Sequence, residues 1–92
     1  MPHTHIVKRR DNHTELYDNH KVYASCYASC LSAHVPKEKA EEISALVAAD
    51  VDTWIDDKSS VTSEEIFKHV AQVLALHNKE AAILYETHRD IS

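Results

Sequence analysis

Apolar positions recur with a helical period over most of the chain and with a strand-like period only near its beginning. Asp18 and Asn19 each suit a helix N-cap. Beyond them Val22, Tyr23, Cys26, Tyr27, Cys30 and Leu31 recur three and four apart, which predicts a first helix ending near His34. Pro36 fits the first turn of a second helix, with Ala40, Ile43, Val47, Val51, Trp54 and Ile55 on one broad face, Glu41, Glu42, Asp52 and Asp56 elsewhere, and an end near Lys58. Thr62-Ser63-Glu64-Glu65 reads as a capping box ahead of the stripe Ile66, Val70, Val73 and Leu74, a third helix. Asn78 offers a cap for a fourth, with Ala81, Ala82, Leu84, Tyr85 and His88 at helical spacing.

Upstream, HIVKRRDNHTELYD holds two short segments of β-branched and aromatic residues around Asp11-Asn12, where Asn tolerates the positive φ of a hairpin turn. Val61, just before the capping box, can add a short strand beside that hairpin. The expected order is β-β-α-α-(β)-α-α. It describes an α+β fold, a four-helix bundle capped by an N-terminal β-hairpin or small three-stranded sheet, in one domain over residues 1–92. With the helices packed as antiparallel neighbours, the hairpin covers an end or a face as a lid.

Composition narrows the chemistry. The chain is 43% hydrophobic and 27% charged, an ordinary globular mixture, and its apolar runs are interrupted by Lys, Glu, Asp or His well short of a membrane span. MPHTHIVKRR lacks the apolar segment of a secretory signal, so a cytoplasmic location without a membrane partner is expected. With no glycine in 92 residues, neither a Gly-rich phosphate loop nor a dinucleotide fingerprint is available. Any phosphate must be held by side-chain cations and ordinary backbone amides. The net charge is −5, but residues 1–21 carry four basic and three acidic groups, leaving six basic and twelve acidic in the other 71. An acidic body argues against general nucleic-acid binding, whereas a compact cationic site at one end suits a small anion.

That site centres on Lys8, Arg9, Arg10, Glu15, Asp18 and Lys21. Alternation along a strand sends Lys8 and Arg10 one way and Arg9 the other, with Val7. An inward cation needs an internal carboxylate such as Glu15 or a bound anion. The competing reading is a solvated edge strand whose Lys and Arg discourage aggregation.

Val7-Lys8-Arg9-Arg10-Asp11-Asn12, then Glu15, Tyr17-Asp18 and Lys21-Val22, resembles the opening of the ATP-cone family. That opening runs valine, any residue, lysine, arginine, aspartate, glycine, then glutamate, aromatic-Asp/Asn and lysine-aliphatic. VTSEEIFKHVAQVL is similar to the family's third helix and AAILYETHRDI to its closing helix, so the resemblance spans essentially the whole chain. Two positions depart from it, Arg9 in place of Lys and Asn12 in place of Gly. Arginine keeps the charge but presents a planar fork, and asparagine can still adopt the turn. A register shifted to Lys8-Arg9, with one extra turn residue, retains the lysine and keeps Lys8 among the candidates.

The resemblance implies an allosteric sensor of adenine nucleotides, not an enzyme, that binds ATP or dATP with Mg2+. By the same carry-over the strand around Val7 lines the base, Arg9 and Arg10 hold phosphates, and Glu15 with Lys21 contacts base or ribose. Thr62 adds amide donors from the turn behind it and Arg89 closes the phosphate end, although a simple cap and a surface ion pair explain these two equally well. In that family the signal passes to ribonucleotide reductase or to a repressor of its genes. Neither a catalytic barrel nor a zinc ribbon is present in these 92 residues, so action in trans or through a homo-oligomer is expected, the alternative being that the chain is an excised domain. The main rival is a helical protein-interaction module that has lost nucleotide affinity.

Other features read as structural. Cys26 and Cys30, four apart in YASCYASC, face one side of the first helix; two thiols make only half a zinc site, and small core residues are the simpler account. The eight histidines are scattered and form no zinc motif. A small kinase or nucleotidase is disfavoured, since no general base is placed and no phosphate loop exists.

Overall fold

A computed structural model of the protein describes residues 6–8 and 13–88. Its elements run β1 (Ile6–Lys8), β2 (Thr14–Leu16), α1 (Asn19–Ser32), α2 (Lys37–Ile55), β3 (Ser60–Thr62), α3 (Ser63–His77) and α4 (Lys79–His88). This is the expected order, with the third strand present. The predicted Asp11-Asn12 turn lies outside the described residues.

Local chemistry explains most boundaries. Asp18 rather than Asn19 caps α1, its carboxylate accepting the His20 amide at 2.9 Å. The far end of α1 closes as a Schellman motif, with His34 N–H donating to Leu31 O and Val35 N–H to Cys30 O, both at 3.0 Å. His34 takes φ 66, the left-handed position that glycine normally fills. A chain without glycine thus reverses direction on a histidine, while Val35 is buried against the bundle. Pro36 is the cap rather than a residue of the first turn, so α2 begins one residue later than expected. It also stops at Ile55, short of Lys58. Asp56 N–H to Thr53 O and Lys58 N–H to Ile55 O tighten the last turn, and the polar run that follows must bend to deliver β3.

Helix α3 starts with a complete capping box. Thr62 Oγ1 accepts the Glu65 amide at 3.0 Å, and a Glu65 carboxylate oxygen accepts the Thr62 amide at 2.8 Å. That amide, and then the Thr62 hydroxyl, hold the Glu65 carboxyl below its ordinary value. The folded protein therefore binds fewer protons there than the unfolded chain. The stabilisation is complete above the usual glutamate range and is lost as pH falls through the depressed value. Thr62→Ala is expected to remove about 1 kcal/mol at neutral pH, the usual worth of an N-cap. It should also flatten the acid limb of urea midpoint plotted against pH in part, since alanine keeps the Thr62 amide; an unchanged limb would show that the Thr62 hydroxyl contributes nothing to it.

The four helices form a bundle in which α1 packs on α2 and α4, and α3 on α2 and α4. Val22, Cys26, Cys30, Ile43, Val47, Val51, Val70 and Leu74 make up most of its interior. The expected stripes supply most of this core, but Leu31 is exposed, and Ser29, Ala48 and Ala71, which lie outside those stripes, are buried. Ser44, also buried, satisfies its hydroxyl by donating to Ala40 O at 2.7 Å. Cys26 and Cys30 are both fully buried free thiols, as the small-core reading has it. Burial, reinforced by Cys30, pushes the Cys26 thiol up to about 12, far from reactive thiolate chemistry.

The sheet order is β2-β1-β3, with β1 antiparallel to β2 and parallel to β3. The cationic segment therefore begins on the central strand, which overturns the edge-strand reading. A second apolar cluster, Val7, Ile55 and Val61, lies under the sheet, and Tyr17, Trp54 and Ile66 pack against both it and the bundle core. Those three side chains join lid to bundle. Among the described residues no helix is long and apolar enough to cross a membrane.

Candidate functional site

The register of the sheet sorts the candidate residues onto two faces. Val7 stands opposite Glu15 and Val61, and Lys8 opposite Thr14 and Thr62. Directly opposed residues share a face. Val7 and Val61 are buried toward the helices, and Glu15, on the same face, is half-buried at the sheet margin. Lys8, Thr14 and Thr62 face outward and are exposed. The alternation expected from the sequence is thus observed as far as Lys8. Arg9, Arg10 and Arg89 lie outside the described residues.

From β2 the chain passes through Tyr17 and Asp18 and enters α1, which brings Lys21 back toward the strand. Lys21 Nζ lies 3.7 Å from Glu15 Oε1, with the lysine largely exposed. A pair this long and this wet contributes little to stability. Its value is positional, since a cation and a carboxylate meet beside the buried Val7 at the start of a helix.

Val7, Glu15 and Lys21 are therefore brought together, whereas Lys8 and Thr62 are neighbours on the opposite face. Thr62 has its hydroxyl and its amide both engaged by Glu65, so what the structure displays at this residue is the cap. Any phosphate contact here must come from the turn behind it or displace Glu65.

The sequence pattern gave no warning of a polar network behind the Glu15–Lys21 pair. Asp52 of α2 accepts Tyr17 Oη–H on one carboxylate oxygen at 3.1 Å and the Asn19 side-chain amide on the other at 2.9 Å. Asn19 Nδ2 also reaches Ala48 O at 3.4 Å. Burial first, then the charge and hydrogen bond of Asp52, raise the Tyr17 phenol well above its usual value, so it remains a proton donor. Next to this network His69 stacks on Trp54 with ring centroids 4.4 Å apart, and its Nε2 lies 2.7 Å from Asp50 Oδ1. Lys58 Nζ sits 4.8 Å from the Trp54 ring centroid.

No group of three or more His, Cys, Asp or Glu side chains among the described residues is arranged to hold a metal ion. Mg2+ would have to be held mainly through nucleotide phosphates, as this hard cation often is. A shallow groove of about 470 Å³ between α3 and α4, lined by Phe67, Ala71, Ala75, Ala82 and Ile83 among others, includes none of the sequence-derived candidates.

Comparison with known families adds one finding. The model of the ATP cone domain matches residues 5–91, nearly the entire chain. No curated protein and no solved structure gives a significant match.

Proposed function

This chain belongs to the ATP-cone family of regulatory, adenine-nucleotide-binding domains, and from that membership we propose that it is an allosteric sensor of ATP and dATP, without catalytic activity of its own. Val7 and the strand around it line the base, Glu15 and Lys21 contact base or ribose, and Arg9 and Arg10 take the phosphates together with Mg2+. Lys8 is a further candidate for the phosphates, the turn behind Thr62 adds amide donors, and Arg89 closes the phosphate end. The carrying observation is the meeting of Val7, Glu15 and Lys21 where β2 enters α1, within the residues that the family model covers. Adenine needs an apolar wall with a few polar contacts, and a triphosphate needs concentrated cations. Both kinds of group occur within this one stretch of chain.

The signal is passed to ribonucleotide reductase or to a repressor of its genes, in trans or through a homo-oligomer, in the cytoplasm. Nucleotide shifts the hairpin lid against the bundle and so changes the helical face offered to the partner. A coupling of about 1 to 3 kcal/mol suffices for such a switch. Calorimetric titration of the folded chain with ATP and with dATP, each with Mg2+, tests the proposal. Saturable binding of at least one is the expected result. Heat from neither would leave the chain as a helical interaction module.

A further inference from the structure

We propose that Asp52 is a positioning residue for the nucleotide site, acting through the elbow that joins β2 to α1; the inference rests on the nucleotide-binding reading above. Glu15 stands before this elbow and Lys21 after it, so their separation and aim depend on the angle at which α1 leaves the strand. Asp18 fixes the elbow locally by capping the helix. A local cap, however, does not tie the elbow to the bundle. Asp52 does that from α2, taking one donor on each side of Asp18, the Tyr17 hydroxyl and the Asn19 amide, on separate carboxylate oxygens. The Tyr17 ring is half-buried between the two apolar clusters, so the clamp holds a side chain that already joins sheet to bundle.

Both partners of Asp52 are neutral donors, and it forms no ion pair among the described residues. Its geometry, not its charge, is what the elbow uses. An asparagine can keep that geometry, because its carbonyl accepts from Asn19 and its amide donates to the Tyr17 hydroxyl oxygen, which is both donor and acceptor. Alanine keeps neither contact. Since Asp52 is exposed, truncation leaves no buried cavity and the variant folds.

The experiment titrates ATP and dATP with Mg2+ into wild type, Asp52→Ala, Asp52→Asn, Glu15→Ala and the surface control Asp57→Ala. Amide resonances of residues 15–21 are followed in the nucleotide-free proteins. Asp52→Ala is expected to bind about tenfold more weakly, about 1.4 kcal/mol, and to shift the elbow resonances. Asp52→Asn should stay within about twofold of wild type on both readouts, and Asp57→Ala should match wild type. Tyr17→Phe added to Asp52→Ala should cost nothing further, as expected for partners in one contact. Affinity lost in Glu15→Ala but kept in Asp52→Ala overturns the inference and spares the nucleotide site. Asp52→Asn failing as badly as Asp52→Ala overturns it too, by showing that the charge is what matters. A wild-type chain that binds neither nucleotide defeats the nucleotide reading itself, and the inference with it.

Discussion

Replacing Arg9 and Arg10 together by alanine is expected to weaken ATP and dATP binding by about a hundredfold or more, with the helical content unchanged. Hydrogen bonds to a charged group are worth about 1.5 to 3 kcal/mol each, so losing two guanidinium–phosphate contacts removes about 3 to 6 kcal/mol. Every 1.4 kcal/mol or so is tenfold in affinity. Because the lost contacts are charge-assisted, the residual binding should also depend less on ionic strength than wild-type binding does. Titration of the double variant at two salt concentrations, with circular dichroism as the check on folding, gives the answer. Near wild-type affinity would mean that the phosphates are held elsewhere.

The sequence exposes those arginines because the strand signal and the charge lie within a few consecutive residues. The features that the structure bears out are local as well. The Thr62–Glu65 capping box closes within four residues, and the stripes of α2 and α3 repeat within a turn of helix. Local chemistry writes itself into local sequence. The position of β1 does not, since its central place depends on pairing Val7 with Val61, far along the chain. Charge alone suggested an edge strand. The Asp52 clamp was hidden for the same reason, because it joins residues 33 and 35 apart and Asp52 looks from α2 like any other polar position. His34 illustrates a different limit. The helix end was legible near it, but without a glycine nothing in the pattern marks which residue takes positive φ.

Leu74→Ala is expected to cost about 2 to 5 kcal/mol of folding stability, out of a total that for a small domain is about 5 to 15 kcal/mol. Leu74 is fully buried in the bundle core. Around it the core is rich in small side chains, including Cys26, Cys30, Ala40, Ala48, Ala81 and Ala82, and these have little freedom to swing into a cavity. The loss should therefore fall toward the upper part of that range, whereas Leu76→Ala, at an 84% exposed position two residues on, should change stability by less than about 0.5 kcal/mol. Urea denaturation of the pair measures the difference, and equal midpoints would refute the assigned core. The same variant links core to site. A ligand that binds only the folded state adds about 2.7 kcal/mol at a hundredfold excess over its dissociation constant. Saturating ATP should thus return much of the stability lost in Leu74→Ala. It should return almost none when Arg9 and Arg10 are also replaced, since that variant is expected to bind ATP about a hundredfold more weakly.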